Sequence, residues 1–316
     1  MTGLGLQILA SVLVLSLIDF AHSQDNAIVV ATLGDQTVTD RDIDFQLGRI
    51  PADGIEPLKG LPPVVMQSAI QLLAQQRQAL QTLRTQKLAV GRDVVERWLE
   101  ENDQLKTGEK LTAAQIVRDQ AGKAGITESN LRDHVAFRLS WQNYLRRQLT
   151  EANVAKHFEN QPKRFNGTRF KVSIVDIAAK AGKSNRRNKL ADALSGLRTR
   201  LMAGDLNWIE LTAELQQVES LEGHSEKFRV REDVWARGTG DLEPTIISAL
   251  MKMEPATYSP PIHTSTAVHL VKLLEVEPGS RGLAEARDEV RAHMLLHLLD
   301  HLARQSETQL PLRAVE

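Results

Sequence analysis

Apolar positions fall into two regimes along the chain. From Val64 to Leu88, Val65, Ile70, Leu73, Leu80 and Leu83 recur at near-helical spacing among glutamines, which predicts a helix with an uncharged polar face. Further helices are expected from Gly91 through Trp98, from Thr112 to Gly122 and from Glu128 to Leu149. The last carries Leu131, Val135, Leu139 and Leu145 in one stripe, with Trp141 and Tyr144 beside it. Upstream, Ala27–Leu33 is strand-like, Gly34-Asp35-Gln36 reads as a turn, and Thr37–Thr39 returns as a second strand. Thr39 and Asp42 stand at capping-box spacing and start a helix carrying Ile43 and Leu47. Prolines and glycines between 51 and 63 break it. The first half of the chain is therefore mostly helical.

The pattern changes after residue 150. A helix with Val154 and Phe158 runs from Thr150 to Asn160-Gln161-Pro162, and a domain boundary is expected near residue 165. Arg169–Ile177 reads as a strand, and the basic stretch Lys180–Lys189 as a solvated loop entering a helix that reaches Leu201. Short helices at Trp208–Leu215 and Thr245–Met253 and a closing strand at Ala267–Leu274 complete an α+β unit. Finally, Leu283 to about Thr308 is an amphipathic helix with Val290, Met294, Leu298 and Leu302 in line and Leu295 and Leu299 adjacent. That stripe must be buried.

At 316 residues the chain has room for two domains. A formal net charge of −1 removes a global electrostatic case for nucleic acid and suits neutral or apolar partners. Cysteine is absent, which excludes disulfides and thiol chemistry. Residues 4–18 form an apolar run short for a membrane span, and Ala21-His22-Ser23 offers a small-x-small cleavage site. A signal peptide over residues 1–23 and periplasmic export are expected. Because no Lys or Arg precedes the apolar run, anchoring to the membrane by residues 4–18 is the alternative.

The second half carries a resemblance. Phe170–Ile177 is similar to the opening strand of a parvulin, Met202–Trp208 to the segment before its second helix, and Asp233-Val234-Trp235 to its Leu-Gly-Trp piece. The run Ala249–Ile262, followed by His269–Leu273, resembles the stretch from the proline-pocket helix to the final histidine-bearing strand. Residues 27–49, Ala124–Glu128, Val154–Phe165 and the helix after Gly282 resemble SurA-like chaperones. The resemblance implies an α+β fold with a helical SurA-like N-terminal domain over 24–165 and a parvulin-like α/β domain over 166–278. A C-terminal helix, 279–316, would pack back on the N-terminal domain.

Prolyl isomerisation faces a barrier of about 18–20 kcal/mol set by amide resonance, so a catalyst must favour the twisted peptide bond. The resemblance implies an apolar cup of Leu242, Ile246 and Met251 with Trp235 nearby, and a polar end made by His269 and Thr266. Against this, Ile174 stands where the family has its first-strand histidine, and the acidic or thiol position falls near Gln216-Gln217. The alternative reading takes the apolar three as plain core and His269 as a hydrogen-bonded structural histidine. His293, His297 and His301 recur every four residues along the last helix, but no acidic ligand is placed to complete a site, so neither metal nor cofactor is expected. The expected function is an exported folding factor that binds extended or proline-containing segments of unfolded proteins, with peptidyl-prolyl isomerisation doubtful because of Ile174. The alternative is a membrane-tethered scaffold with an inactive parvulin fold.

Overall fold

The computed structural model describes residues 27–33, 36–48, 63–178, 184–221, 228–264, 267–306 and 312–314. The signal segment 1–23, the breaker at 51–62 and Thr266 lie outside them. The chain divides into two compact units, one made of residues up to Asn153 together with Arg291 onwards, the other of Val154–Val290. Among the described residues no helix is long and apolar enough to cross a membrane.

The first unit opens with strands β1 (Val29–Leu33) and β2 (Gln36–Thr39), then helix α1 (Asp40–Gln46). The expected capping box is present: Thr39 Oγ1 accepts from the Asp42 amide, and the Asp42 carboxylate accepts from the Thr39 amide. Helices α2 (Pro63–Thr85), α3 (Arg92–Thr107), α4 (Ala113–Ala124) and α5 (Glu128–Gln148) follow. Helix α3 runs nine residues past Trp98, through charged positions that hide its periodicity, until Gly108 adopts a left-handed φ of 73° and caps it. Leu80, Leu83, Val95, Leu99, Ile116, Val117, Leu131 and Val135 form the core.

The chain returns to this core at its other end. Helix α11 (Leu283–Arg304) contributes Leu299 and Leu302 to it. The Thr82 hydroxyl donates to the Leu302 carbonyl at 2.8 Å, and Ser306 donates to Gln81 at 3.2 Å. The expected stripe is buried at Val290, Met294 and Leu302, while Leu298 is half-buried and Leu299 takes its share. A strand absent from the sequence reading, β8 (Leu312–Ala314), pairs antiparallel with β1 to give a sheet ordered β2-β1-β8.

The second unit begins within helix α6 (Glu151–Asn160) and passes through α7 (Pro162–Phe165) into β3 (Arg169–Ala178). Helices α8 (Ser184–Ala203) and α9 (Trp208–Leu221) lead to β4 (Phe228–Arg237), helix α10 (Pro244–Leu250), and strands β5 (Thr257–Tyr258), β6 (Ile262–His263) and β7 (Ala267–Glu277). All pairings are antiparallel, in the order β4-β3-β7-β5 with β6 also on β7. The sequence reading missed β4: it is an edge strand rich in Arg, Glu and Asp, and charges on an edge blunt unwanted pairing while erasing the alternation. One face of the sheet packs Val175, Ile177, Val268 and Leu270 against α8 and α9. The other packs Phe170, Val172, Ile174, Val271 and Leu273 against Ile246, Ile247 and Leu250 of α10.

Burial of Leu302 in the first unit carries a direct consequence. Leu302→Ala is expected to lower stability by about 2–4 kcal/mol through lost burial and a residual cavity, read as a drop in the urea midpoint. An unchanged midpoint would show that this helix does not belong to the helical core.

Candidate functional site

Asp176 and His269 are register partners on the two central strands, so their side chains share one face of the sheet. The His269 Nδ1 lies 2.7 Å from the Asp176 Oδ1, and the opposite ring nitrogen, Nε2, lies 2.9 Å from the Thr264 hydroxyl. His269 is buried, at 5% exposure. The Thr264 hydroxyl also lies 3.3 Å from the Ala267 carbonyl, so it bridges the ring and the turn, and both ring nitrogens have partners inside the protein.

Arg231 closes the far end of this chain. Its guanidinium donates to both Asp176 oxygens, Nε to Oδ2 at 3.0 Å and a terminal nitrogen to Oδ1 at 3.1 Å. A β-bulge makes that reach possible. Between Val172 and Ile174 the β3–β4 pairing shifts from Val234 to Arg231, so β4 holds one extra residue there. Asp233 takes up the distortion with φ 51°, and its amide donates to the Ser173 hydroxyl at 3.3 Å. The extra residue turns Arg231 onto the face of Ile174 and Asp176; without it, alternation would aim Arg231 at the opposite face. Burial alone would raise the Asp176 carboxyl, but hydrogen bonds from His269 and Arg231 and the Arg231 charge hold it below the ordinary carboxylate value.

The residues singled out by sequence separate into three groups. His269, Ile246, Leu242 and Met251 lie on one face, but Ile246 is 1% exposed and belongs to the core beside Ile174, while Leu242 and Met251 are partly buried against it. Trp235 pairs with Lys171 and faces the other way, 37% exposed, its ring under the Arg169 guanidinium at 4.8 Å. Thr266 is outside the described residues; the hydroxyl that meets His269 comes from Thr264, two positions earlier. Asp176, Arg231 and Thr264 were not singled out. The one signal for Asp176 was a carboxylate on the otherwise apolar strand face that alternation assigns to Phe170, Val172 and Ile174.

The helical unit holds its own cleft, walled by the apolar Phe45, Leu73, Leu80, Ile126 and Phe137 and by polar groups that include Asp42, Arg77, Asn130 and Asp133. His134 sits at its edge, 4.9 Å from the Phe45 ring in a T-shaped contact, and burial followed by the Arg138 charge lowers its pKa to about 4.

Residues 149–288 match the family described as the PPIC-type PPIASE domain. This stretch is thus similar to parvulin-type domains, and the chain as a whole is similar to a SurA chaperone. Chaperone SurA of Aromatoleum aromaticum is 22% identical over 258 residues, covering 78% of this chain and 56% of that protein. The chain thus spans a little over half the length of the curated relative it matches. Among solved structures, the peptidylprolyl isomerase PrsA of Bacillus anthracis is 14% identical and covers 76% of this chain and 95% of its own, with a TM-score of 0.35. A SurA-like chaperone of Campylobacter jejuni is 10% identical and covers 92% of this chain and 100% of its own, with a TM-score of 0.24.

Two measurements follow. Asp176→Ala leaves the Arg231 charge and the His269 Nδ1–H without their shared acceptor. It is expected to cost about 2–4 kcal/mol, seen as a lower denaturant midpoint, whereas a neutral effect would mean that Arg231 and His269 do not depend on this carboxylate. For His134 the folded pKa lies below the unfolded one, so only the unfolded chain gains this proton between pH 6.5 and about 4. Stability is full above that window and falls by about 3 kcal/mol across it as pH drops. His134→Gln should flatten that slope in thermal melts.

Proposed function

We propose that the chain is an exported folding factor that binds extended and proline-containing segments of unfolded polypeptides. Its parvulin-type unit would serve first as a binding surface and only weakly as an isomerase. Leu242 and Met251, partly exposed beside the buried Ile246, offer an apolar seat for a proline or aliphatic side chain. The helical unit contributes the cleft bordered by Phe45 and Phe137, which also presents Arg77, Asn130 and Asp133 to a client backbone. Near-neutral net charge suits clients recognised by apolar area rather than by charge.

The observation that carries this reading is the saturation of His269. A group that stabilises a rotating amide must direct a donor or dipole at it. Here one ring nitrogen is engaged by Asp176 and the other by Thr264, the ring is buried, and the neighbouring position is the aliphatic Ile174. The imidazole acts as a brace between strands and the β6–β7 turn.

The purified chain is expected to suppress aggregation of a chemically unfolded client in proportion to the amount added. In a protease-coupled proline-peptide assay it should accelerate isomerisation by less than about tenfold over the uncatalysed reaction, with no further loss in His269→Gln. Failure to suppress aggregation or to bind apolar peptides would sink the folding-factor reading. Strong acceleration lost in His269→Gln, with the circular dichroism spectrum retained, would replace the brace with a catalytic histidine.

A further inference from the structure

Helix α11 turns two different sides outward and inward after Arg291. Met294, Leu299 and Leu302 are buried, whereas His297 and His301 are exposed and His293 is half-buried. The three imidazoles form one continuous row: the rings of His293 and His297 lie 6.5 Å apart with planes 12° from parallel, and those of His297 and His301 lie 6.4 Å apart at 24°. Side chains four residues apart stand one above another on a helix, so the row follows from spacing. The side-chain amide nitrogen of Gln305 lies 2.9 Å from the His301 Nε2 and helps set the orientation of that ring.

We infer that this row is a clip for a divalent transition-metal ion of the zinc, copper or nickel class, with His297 shared between two alternative binding pairs. Imidazole suits those ions above magnesium or calcium. Two ring nitrogens each about 2.0–2.1 Å from one ion stand about 3–4 Å apart, so ligation requires adjacent side chains of the row, with ring centroids 6.4–6.5 Å apart, to turn toward one another. All three cannot reach one ion, because the first and third residues are about 12 Å apart along the helix axis. An ion therefore takes His293 with His297, or His297 with His301, and water fills its remaining positions. Among the described residues no group of three or more imidazoles and carboxylates is placed to hold a metal ion, so the clip would be open, with two protein ligands. Ligation across one turn favours the helix, so binding would stiffen the segment that delivers Leu299 and Leu302 to the helical core. The inference is independent of polypeptide binding.

Titration of the tag-free full chain with zinc, copper or nickel chloride at near-neutral pH, followed by calorimetry, tests it. One ion per chain is expected, together with a rise in melting temperature. His297→Ala removes both pairs and should weaken binding by at least about tenfold. His293→Ala and His301→Ala each leave one pair and should stay within about threefold of the parent chain. Absence of saturable binding for all three ions, or undiminished binding by a His297→Ala chain of unchanged circular dichroism, would overturn the clip. Two ions per chain would overturn the sharing of His297.

Discussion

A buried imidazole in an apolar sheet must have both nitrogens satisfied, and the second unit is arranged around that requirement. The chain Arg231, Asp176, His269, Thr264 runs from edge strand to central strands to turn, with every link at hydrogen-bonding distance. It exists only in one register. A slip of one residue between β3 and β7 would carry Asp176 to one face and leave His269 on the other. Removing the bulge at Asp233 would do the same to Arg231. The polar chain and the apolar layer beneath α10 therefore specify the same pairing, and each makes the alternatives of the other costly.

This arrangement separates two properties that a parvulin-type unit can combine. The apolar layer, with Ile246 buried and Leu242 and Met251 at its margin, is compatible with seating a client side chain. The polar chain, by contrast, is closed on itself: Asp176 serves Arg231 and His269, and His269 serves Asp176 and Thr264. Ile174, fully buried in the position where the family resemblance expects a histidine, extends the apolar layer instead of adding a second imidazole. On the proposed reading such a site offers a shape for binding while its polar groups are spent on holding the sheet.

Elements governed by local rules were legible in the sequence. The Thr39–Asp42 capping box, the stripe from Leu131 to Val135 and the buried face at Met294 and Leu302 depend on spacing within one helix. What escaped depends on partners distant in sequence. Strand β4 carries its charges because it is an edge, and β8 is defined by pairing with β1 nearly the whole chain away. The site shows the same division. His269 stood out because a histidine in an apolar strand demands an explanation, but Asp176, Arg231 and Thr264 are its partners only through register, bulge and turn. Trp235 was placed with the pocket by resemblance, but its pairing with Lys171 puts it on the other face of the sheet.

The helical unit closes on itself in a comparable way, through apolar burial and a few long-range hydrogen bonds such as Thr82 to Leu302. Neither unit relies on disulfides, since the chain has no cysteine. The central claim is that client segments engage the margin of the α10 layer while His269 stays in its internal bonds. Nuclear magnetic resonance of the full chain during titration with an extended proline-containing peptide tests this most directly. The account predicts shifts of the amides around Leu242 and Met251, with the His269 ring nitrogens unchanged. Unmoved amides there, or a His269 ring that exchanges its bond to Asp176 for one to the peptide, would contradict it.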